Sequence, residues 1–345
     1  MATLQEISTQ ARTSIATVSL VLSGKAGKRV SEGTRTKIKR VAENLGYFPN
    51  AAARMMKTGR FGQIACMVSE YRREQSNATF TLGQLRYVDV VTKLLADCGY
   101  STIIEPVYLD WRTGKLVEIS RVFSEVVVDG ILGVDACGGI SHEIDRRIQN
   151  MNTPVIWLNR VQSKSDVPCI KINEALGAKL LVDHLVELGH RRIAYIGPEP
   201  GGHYSVAARM EGVRDALIAQ GLDASYVLSE SWHPNTRELA QQLLKKQPRP
   251  TAFICNNRKR YDAVLHEASR LGLRVPYDIS ICCFAGVQDV NDYPMTAVVV
   301  PEAEMSKVGV DCLIDLIKTR KAPGMIPDIA PSFFRGETTL PPSSE

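Results

Sequence analysis

From residue 61 onward the chain repeats one pattern: a short, continuous apolar run, then a longer stretch with helical spacing. The runs Gln63–Val68, Ser101–Pro106, Gly130–Val134, Val155–Leu158, Arg192–Gly197, Ala252–Cys255 and Ile279–Phe284 do not alternate polar with apolar. Each predicted strand must therefore be buried on both faces. Between them, Leu82–Cys98, Ala175–Leu188, Ser205–Gln220, Thr236–Lys246 and Tyr261–Leu271 carry apolar residues at helical intervals. Such strands, separated by helices, build a parallel sheet covered on both sides. Roughly 280 residues are too many for one such sheet, so two doubly wound parallel-sheet α/β lobes are expected.

The first sixty residues lack that pattern. Thr3 and Glu6 form a capping box ahead of Leu4, Ile7, Ser8 and Ala11. Ser14 caps a second helix through Leu22, with Ile15, Val18, Val21 and Leu22 at helical spacing. Ser23-Gly24-Lys25-Ala26-Gly27 is a turn, and Ser31 opens a third helix with an inner face of Ile38, Val41, Ala42 and Leu45, ended by Gly46. Two short helices, a tight turn and a third helix across them make an all-α helix-turn-helix head, whose second helix enters the major groove. Charge agrees with that reading. The formal net charge is +5, but residues 1–60 hold 11 Lys/Arg against 3 acids (+8), leaving 31 bases and 34 acids (−3) for the rest. A basic head before a slightly acidic body is the footprint of a polyanion binder. Asn50 to Gly59 reads as a short alanine-rich hinge helix, too short to be stable alone.

Several classes are excluded. No stretch approaches the ~18 apolar residues of a membrane span, and no basic segment followed by an apolar core opens the chain. The eight cysteines occur singly apart from Cys282-Cys283, with no C-x-x-C, which argues against disulfides or zinc and for a reducing cytoplasm. Gly197-Pro198-Glu199-Pro200-Gly201-Gly202 lacks the phosphate-loop lysine, and the six histidines show no metal-ligand spacing. With no G-x-S-x-G either, no catalytic constellation supports an enzyme, and no cofactor or metal is implied.

Specific motifs add a resemblance. In the head they are Thr3-Leu4-Gln5-Glu6-Ile7-Ser8, Ser14-Ile15-Ala16-Thr17-Val18-Ser19-Leu20-Val21-Leu22, Val30-Ser31, Thr34-Arg35, Leu45-Gly46-Tyr47-Phe48-Pro49-Asn50 and Ala53-Arg54. In the body they are Thr153 through Arg160, His184-Leu185, Leu188 through Ala194, Arg209-Met210-Glu211-Gly212, Leu271 through Ser280 and Phe334 through Thr339. Together they resemble the lactose/galactose repressor (LacI/GalR) family of bacterial transcription regulators over nearly the whole chain. That resemblance implies a periplasmic-binding-protein-like body of two lobes with crossing strands. It lays out a DNA-binding domain at 1–48, a hinge helix at 49–60 and an effector and dimerisation domain at 61–345. Lobe 1 would take about 61–160 plus 289–321, and lobe 2 about 161–288 plus 322–345.

The resemblance also assigns residues. Ser14, Thr17 and Ser19 have short hydroxyls suited to phosphates, Arg54 and Lys57 are cations that suit them too, and Thr3, Thr34 and Asn50 complete the expected DNA contacts. Ile15, Ala16 and Leu20 occupy the positions facing base edges, with Arg29 a base or phosphate reader, and Met56 stands where relatives insert a minor-groove wedge. Leu20 departs from the arginine that most relatives carry, and Arg12 from their turn glycine. An effector would meet Asp135, Asn159, Arg160 and Asn256 at strand ends in the interlobe cleft, together with Arg209, which matches the family's arginine before an x-x-G turn. Here too the chain departs: Asn256-Asn257-Arg258-Lys259-Arg260 replaces N-D-x-x-A, and Cys283-Phe284-Ala285-Gly286 lacks the carboxylate that commonly anchors sugar hydroxyls. A sugar or an acidic metabolite is the expected ligand, unless the pocket has lost its effector.

The expected function is a sequence-specific DNA-binding regulator, most simply a dimeric repressor on an inverted-repeat operator, controlled by a small ligand and nucleoid-associated in the bacterial cytoplasm. The alternatives are a ligand-binding protein of solute-receptor type, and an enzyme on the α/β body. Pro341-Pro342-Ser343-Ser344-Glu345 carries no leucine heptads, so the tetramer helix of some relatives is not expected.

Overall fold

The computed structural model describes residues 2–23, 26–47, 59–72, 82–110, 117, 127–135, 142–160, 167–200, 203–230 and 236–343. It divides into two units, Met1–Gly62 and Gln63–Glu345.

The smaller unit is the head, with α1 (Leu4–Ala11), α2 (Ile15–Leu22) and α3 (Glu32–Asn44). Each helix starts where a side chain satisfies an otherwise orphaned backbone N–H. Thr3 Oγ1 accepts from Glu6 N while Glu6 accepts from Thr3 N at 2.7 Å, the anticipated capping box. Ser14 Oγ accepts from Thr17 N at 3.1 Å, and Ser31 Oγ from Thr34 N at 3.4 Å. Ile7, Ala11, Val18, Val21, Ile38 and Ala42 from all three helices form one buried cluster. The α1–α2 turn runs through Arg12 at φ 53°, a left-handed backbone that favours glycine, and Ser8 Oγ braces it by donating to Thr13 O at 2.6 Å. The expected hinge helix falls almost wholly on 48–58, outside the described residues.

The larger unit contains two parallel sheets. The first uses β1 (Gln63–Arg72), β2 (Ser101–Asp110), β3 (Gly130–Asp135), β4 (Val155–Leu158) and β5 (Cys169–Ile170), in the order β2-β1-β3-β4-β5. Alternate residues divide its core. Ile64, Cys66 and Val68 face α4 (Leu82–Asp97) and α11 (Glu302–Thr319), while Ala65 and Met67 face α5 (His142–Gln149). The second uses β6 (Ile193–Pro198), β7 (Val227–Glu230), β8 (Ala252–Cys255), β9 (Ser280–Gly286), β10 (Thr296–Val300) and β11 (Ser332–Phe334), ordered β11-β10-β9-β8-β6-β7. Helices α6 (Glu174–Glu187) and α7 (Tyr204–Ala219) cover one face, and α8 (Thr236–Lys245) and α9 (Arg258–Arg270) the other. A short α10 (Val287–Asp292) follows β9. Only the edge strand β11 is antiparallel.

The lobe boundaries expected from sequence need correcting. β5 pairs with β4, so lobe 1 continues past residue 160. β10 pairs in parallel with β9, so residues 289–300 belong to lobe 2, and the chain returns to lobe 1 only with α11. The reasons are local. Two residues are too few to show strand periodicity, and the Thr296–Val300 run, apolar like its neighbours, is not among the strands expected from sequence. The chain thus crosses between lobes before α6, before α11 and before β11. The first and third crossings are joined: Asn173 N donates to Ile329 O, and Ile329 N to Lys171 O, both at 2.8 Å.

Candidate DNA interface and ligand cleft

The buried pair Val18 and Val21 turns one side of α2 into the head core. That orientation leaves Ser14, Ile15 and Ala16 exposed and Thr17, Ser19 and Leu20 half-buried. Leu20 also packs against the head core while remaining half-buried. Ser14 and Thr17 bond to each other at 2.8 Å at the helix N-terminus, where backbone N–H groups and the helix dipole favour a phosphate. Ser31 and Thr34 repeat the arrangement on α3, hydroxyl to hydroxyl at 2.9 Å. Arg29 is exposed, whereas Arg35 is committed: its Nε donates to Val30 O at 3.0 Å, and a terminal nitrogen to Gly27 O. Of the anticipated DNA contacts, Thr3 caps α1, while Asn50, Arg54, Met56 and Lys57 lie outside the described residues.

Both sheets reverse strand order beside their first strand, between β1 and β3 and between β6 and β8. A parallel sheet opens a crevice at such a point, at the strands' carboxyl ends. Asp135 ends β3 opposite Ser69, and Asn256 directly follows β8. Asn256 is 3% exposed, and its Nδ2 donates to Tyr195 Oη at 2.8 Å. Beside it, Arg209 on α7 donates to both oxygens of Glu174 at 2.7 and 2.9 Å, and to Asn256 O at 3.0 Å. Its guanidinium carbon lies 4.5 Å from the Phe284 ring centroid. Burial works against the Arg209 charge, but Glu174 outweighs it, so the guanidinium is held above its ordinary pKa. Three of its five N–H groups are thus used.

Asn159 and Arg160 have different duties. Asn159 sits at φ 59°; its carbonyl accepts from His203 Nε2 at 2.6 Å and its Oδ1 from Tyr204 Oη at 3.2 Å. His203 Nδ1 accepts from Ser205 N, so the ring proton is on Nε2. His203 and Tyr204 open α7 of lobe 2, so this contact ties lobe to lobe. Arg160 is 3% exposed, with its guanidinium 4.3 Å from the Trp157 ring centroid.

A second tie was not visible in the sequence. Arg86 on α4 faces Asp289 on α10, with Nη2 to Oδ1 at 3.1 Å and Nη1 to Oδ2 at 3.4 Å, and Glu302 at the start of α11 at 3.5 Å. Burial pushes the Glu302 carboxyl above its ordinary range, partly opposed by its own backbone N–H and by Arg86. The guanidinium rests on Gly286, where a Cβ would stand 1.6 Å from Nη1. Gly286 and the neighbouring Ala285, which is buried, occupy the stretch where the family resemblance leads one to expect carboxylates, so an arginine from the other lobe fills that end of the cleft. No sequence spacing signals this, since Arg86 and Asp289 are 203 positions apart. Two members of the basic run 258–260 are likewise engaged: Arg258 pairs with Asp262 at 2.7 Å, and Arg260 Nη1 donates to Asn257 Oδ1 at 3.4 Å, while Lys259 is exposed.

Residues 3–50 match the model for bacterial regulatory proteins of the lacI family, and residues 182–339 the periplasmic binding protein-like domain. The chain belongs to the lacI family of bacterial regulatory proteins. It is similar to the HTH-type transcriptional repressor CytR of Escherichia coli K12, 27% identical over 328 residues covering 91% of this chain and 89% of the relative. It is also similar to the HTH-type transcriptional repressor PurR of Vibrio vulnificus, 25% identical over 334 residues and 93% of each chain. Among solved structures it shares its fold with the lac repressor dimer bound to operator and the anti-inducer ONPF, at TM-score 0.75 and 21% identity, covering 98% of this chain and 99% of that one. The family member described here is therefore a DNA-binding transcriptional regulator with a ligand-binding-type body, and its curated relatives are repressors rather than enzymes. Among the described residues no helix is long and apolar enough to cross a membrane, and no His/Cys/Asp/Glu group could hold a metal ion.

Proposed function

We propose that the protein represses transcription as a twofold dimer, each head taking one half of an inverted-repeat operator, under control of a small ligand in the interlobe cleft. The observation that carries this is the head: a +8 segment presenting the exposed side of α2, with paired hydroxyls at two helix N-termini for phosphates. Dimerisation is supported by Leu85 on α4 and Ile104 on β2, 45% and 46% exposed on the open edge of the first sheet. The ligand contact is Arg209, with Asn256, His203 and Tyr204 around it. Asp135, at the carboxyl end of β3, is the lobe 1 residue included in this reading, while Asn159 and Arg160 shape that wall. With Ala285 in place of a carboxylate, the cleft suits a ligand other than a simple sugar. Ligand binding changes the lobe angle and so orders or melts the hinge helix, a coupling between two sites. The protein acts in the bacterial cytoplasm.

The test is to bind sheared genomic DNA at moderate salt and sequence what is retained. An enriched inverted repeat supports the operator reader; retention with no shared motif, fading with salt, overturns it. A panel of mono- and disaccharides should leave the melting temperature of the protein unchanged, and clear stabilisation by one of them overturns the reading of Ala285.

A further inference from the structure

The second helix of the head has an unusual composition for an element that reads DNA. Its eight residues, Ile15–Leu22, include no Arg, Lys, Asn, Gln, Asp or Glu. Guanine is read by Arg or Lys, adenine by Asn or Gln, and the cytosine amino group by a carboxylate. None of these can come from α2. Around the helix, Val18 and Val21 point inward, so at ~100° per residue Ile15, Ser19, Ala16 and Leu20 share the outward arc. Ile15 is 44% exposed, Ala16 is exposed and Leu20 is half-exposed. The hydroxyls at the helix ends are satisfied locally: Ser14 with Thr17 at 2.8 Å, and Ser23 donating to Leu20 O at 3.2 Å. The outward side is therefore chiefly methyl and methylene surface. In the major groove, the base-edge feature that such a surface recognises is the C5-methyl group of thymine.

We propose that the head reads its half-site through pyrimidine C5-methyl groups beneath Ile15, Ala16 and Leu20, and so accepts 5-methylcytosine where it accepts thymine. The methyl stands at the same place in a T·A pair and in a 5-methyl-C·G pair. What changes beside it is hydrogen bonding: the O4 acceptor of thymine becomes the N4 donor of cytosine. A side chain that hydrogen-bonds the base would register that exchange, whereas an apolar one senses only the methyl. Arg12 and Arg29 are exposed on the flanking turns and supply attraction to phosphates. Unmethylated cytosine offers nothing to this surface, so cytosine methylation at such a position creates a binding site rather than blocking one.

This inference rests on the operator reading above, and the experiment separates the two. Full-length protein selects sites from a random duplex pool, and the enriched site is resynthesised with one base changed at a time. Replacing a contacted thymine by deoxyuridine should weaken binding about fourfold, as expected for one methyl group returned to water. Replacing that T·A pair by C·G should weaken it at least as much, and 5-methyl-C·G should restore affinity to within about twofold of T·A. Ile15→Ala, an exposed position that leaves the head core untouched, should erase the thymine–uracil difference at one position; Leu20→Ala should erase it at another. No enriched site overturns the operator reading itself. An enriched site indifferent to deoxyuridine, or dependent on guanines and lost in Arg29→Ala, leaves that reading standing and overturns methyl readout.

Discussion

Acid should loosen lobe 2 through His190. The ring lies between three strands and the final segment: Nδ1 meets Thr251 Oγ1 at 2.9 Å, and Nε2 meets Ser280 Oγ at 3.0 Å and Leu340 O at 2.9 Å. Burial pulls its pKa down to about 4 from an ordinary 6.5, against an opposing pull from the Leu340 carbonyl. A histidine whose folded pKa is depressed stabilises the fold above its unfolded pKa. That stabilisation is lost as pH falls from about 6.5 toward 4. With those two values, the cost between pH 7.5 and pH 5 is about 2 kcal/mol. His184, bonded to Thr339 at 2.9 Å, is shifted in the same direction by burial and adds to the slope. Urea midpoints at pH 7.5, 6.5, 5.5 and 5 give the slope, and His190→Gln, which does not titrate, should flatten most of it despite a lower starting stability. An equally steep slope in His190→Gln would refute the assignment.

The other predictions concern the head and the brace between lobes. Arg12→Gly should stabilise the head by about 0.5–1 kcal/mol, because φ 53° costs arginine more than glycine, while lowering the salt slope of DNA binding; a lower melting temperature would contradict it. Gly286→Ala should displace Arg86 from Asp289 and cost about 1–2 kcal/mol. Because both changes break one contact, Gly286→Ala should be nearly silent in an Arg86→Met background, and strict additivity would sink the brace. Met56→Ala should weaken operator binding and reduce DNA bending while sparing nonspecific affinity; equal loss on both DNAs would count against a wedge.

Local chemistry in this chain was legible and long-range pairing was not. Thr3, Ser14 and Ser31 cap their helices where the sequence places them, because capping depends on residues three apart. Seven strands are legible because burial on both faces writes itself into consecutive apolar residues, whereas β10, equally apolar, is not among the strands expected from sequence. β5 is two residues long and its place depends on what β4 offers it. In the cleft, a strand end points to Asn256 and the family resemblance to Arg209, but neither shows that Glu174 holds that arginine. Asn159 reads as a ligand contact in sequence, and only the fold shows His203 and Tyr204 bonding to it from the other lobe.

The two crossing segments that meet at Ile172 and Ile329 have a mechanical consequence. Because backbone hydrogen bonds run both ways between Asn173, Ile329 and Lys171 around one parallel bridge, these segments are fastened to each other rather than running as independent tethers. Segments fastened at one point favour rotation of the lobes about it over sliding. Relative motion is then a rotation whose lever arm grows with distance from the pivot. A ligand need only tilt the lobes slightly at the cleft for the far ends to travel several times further.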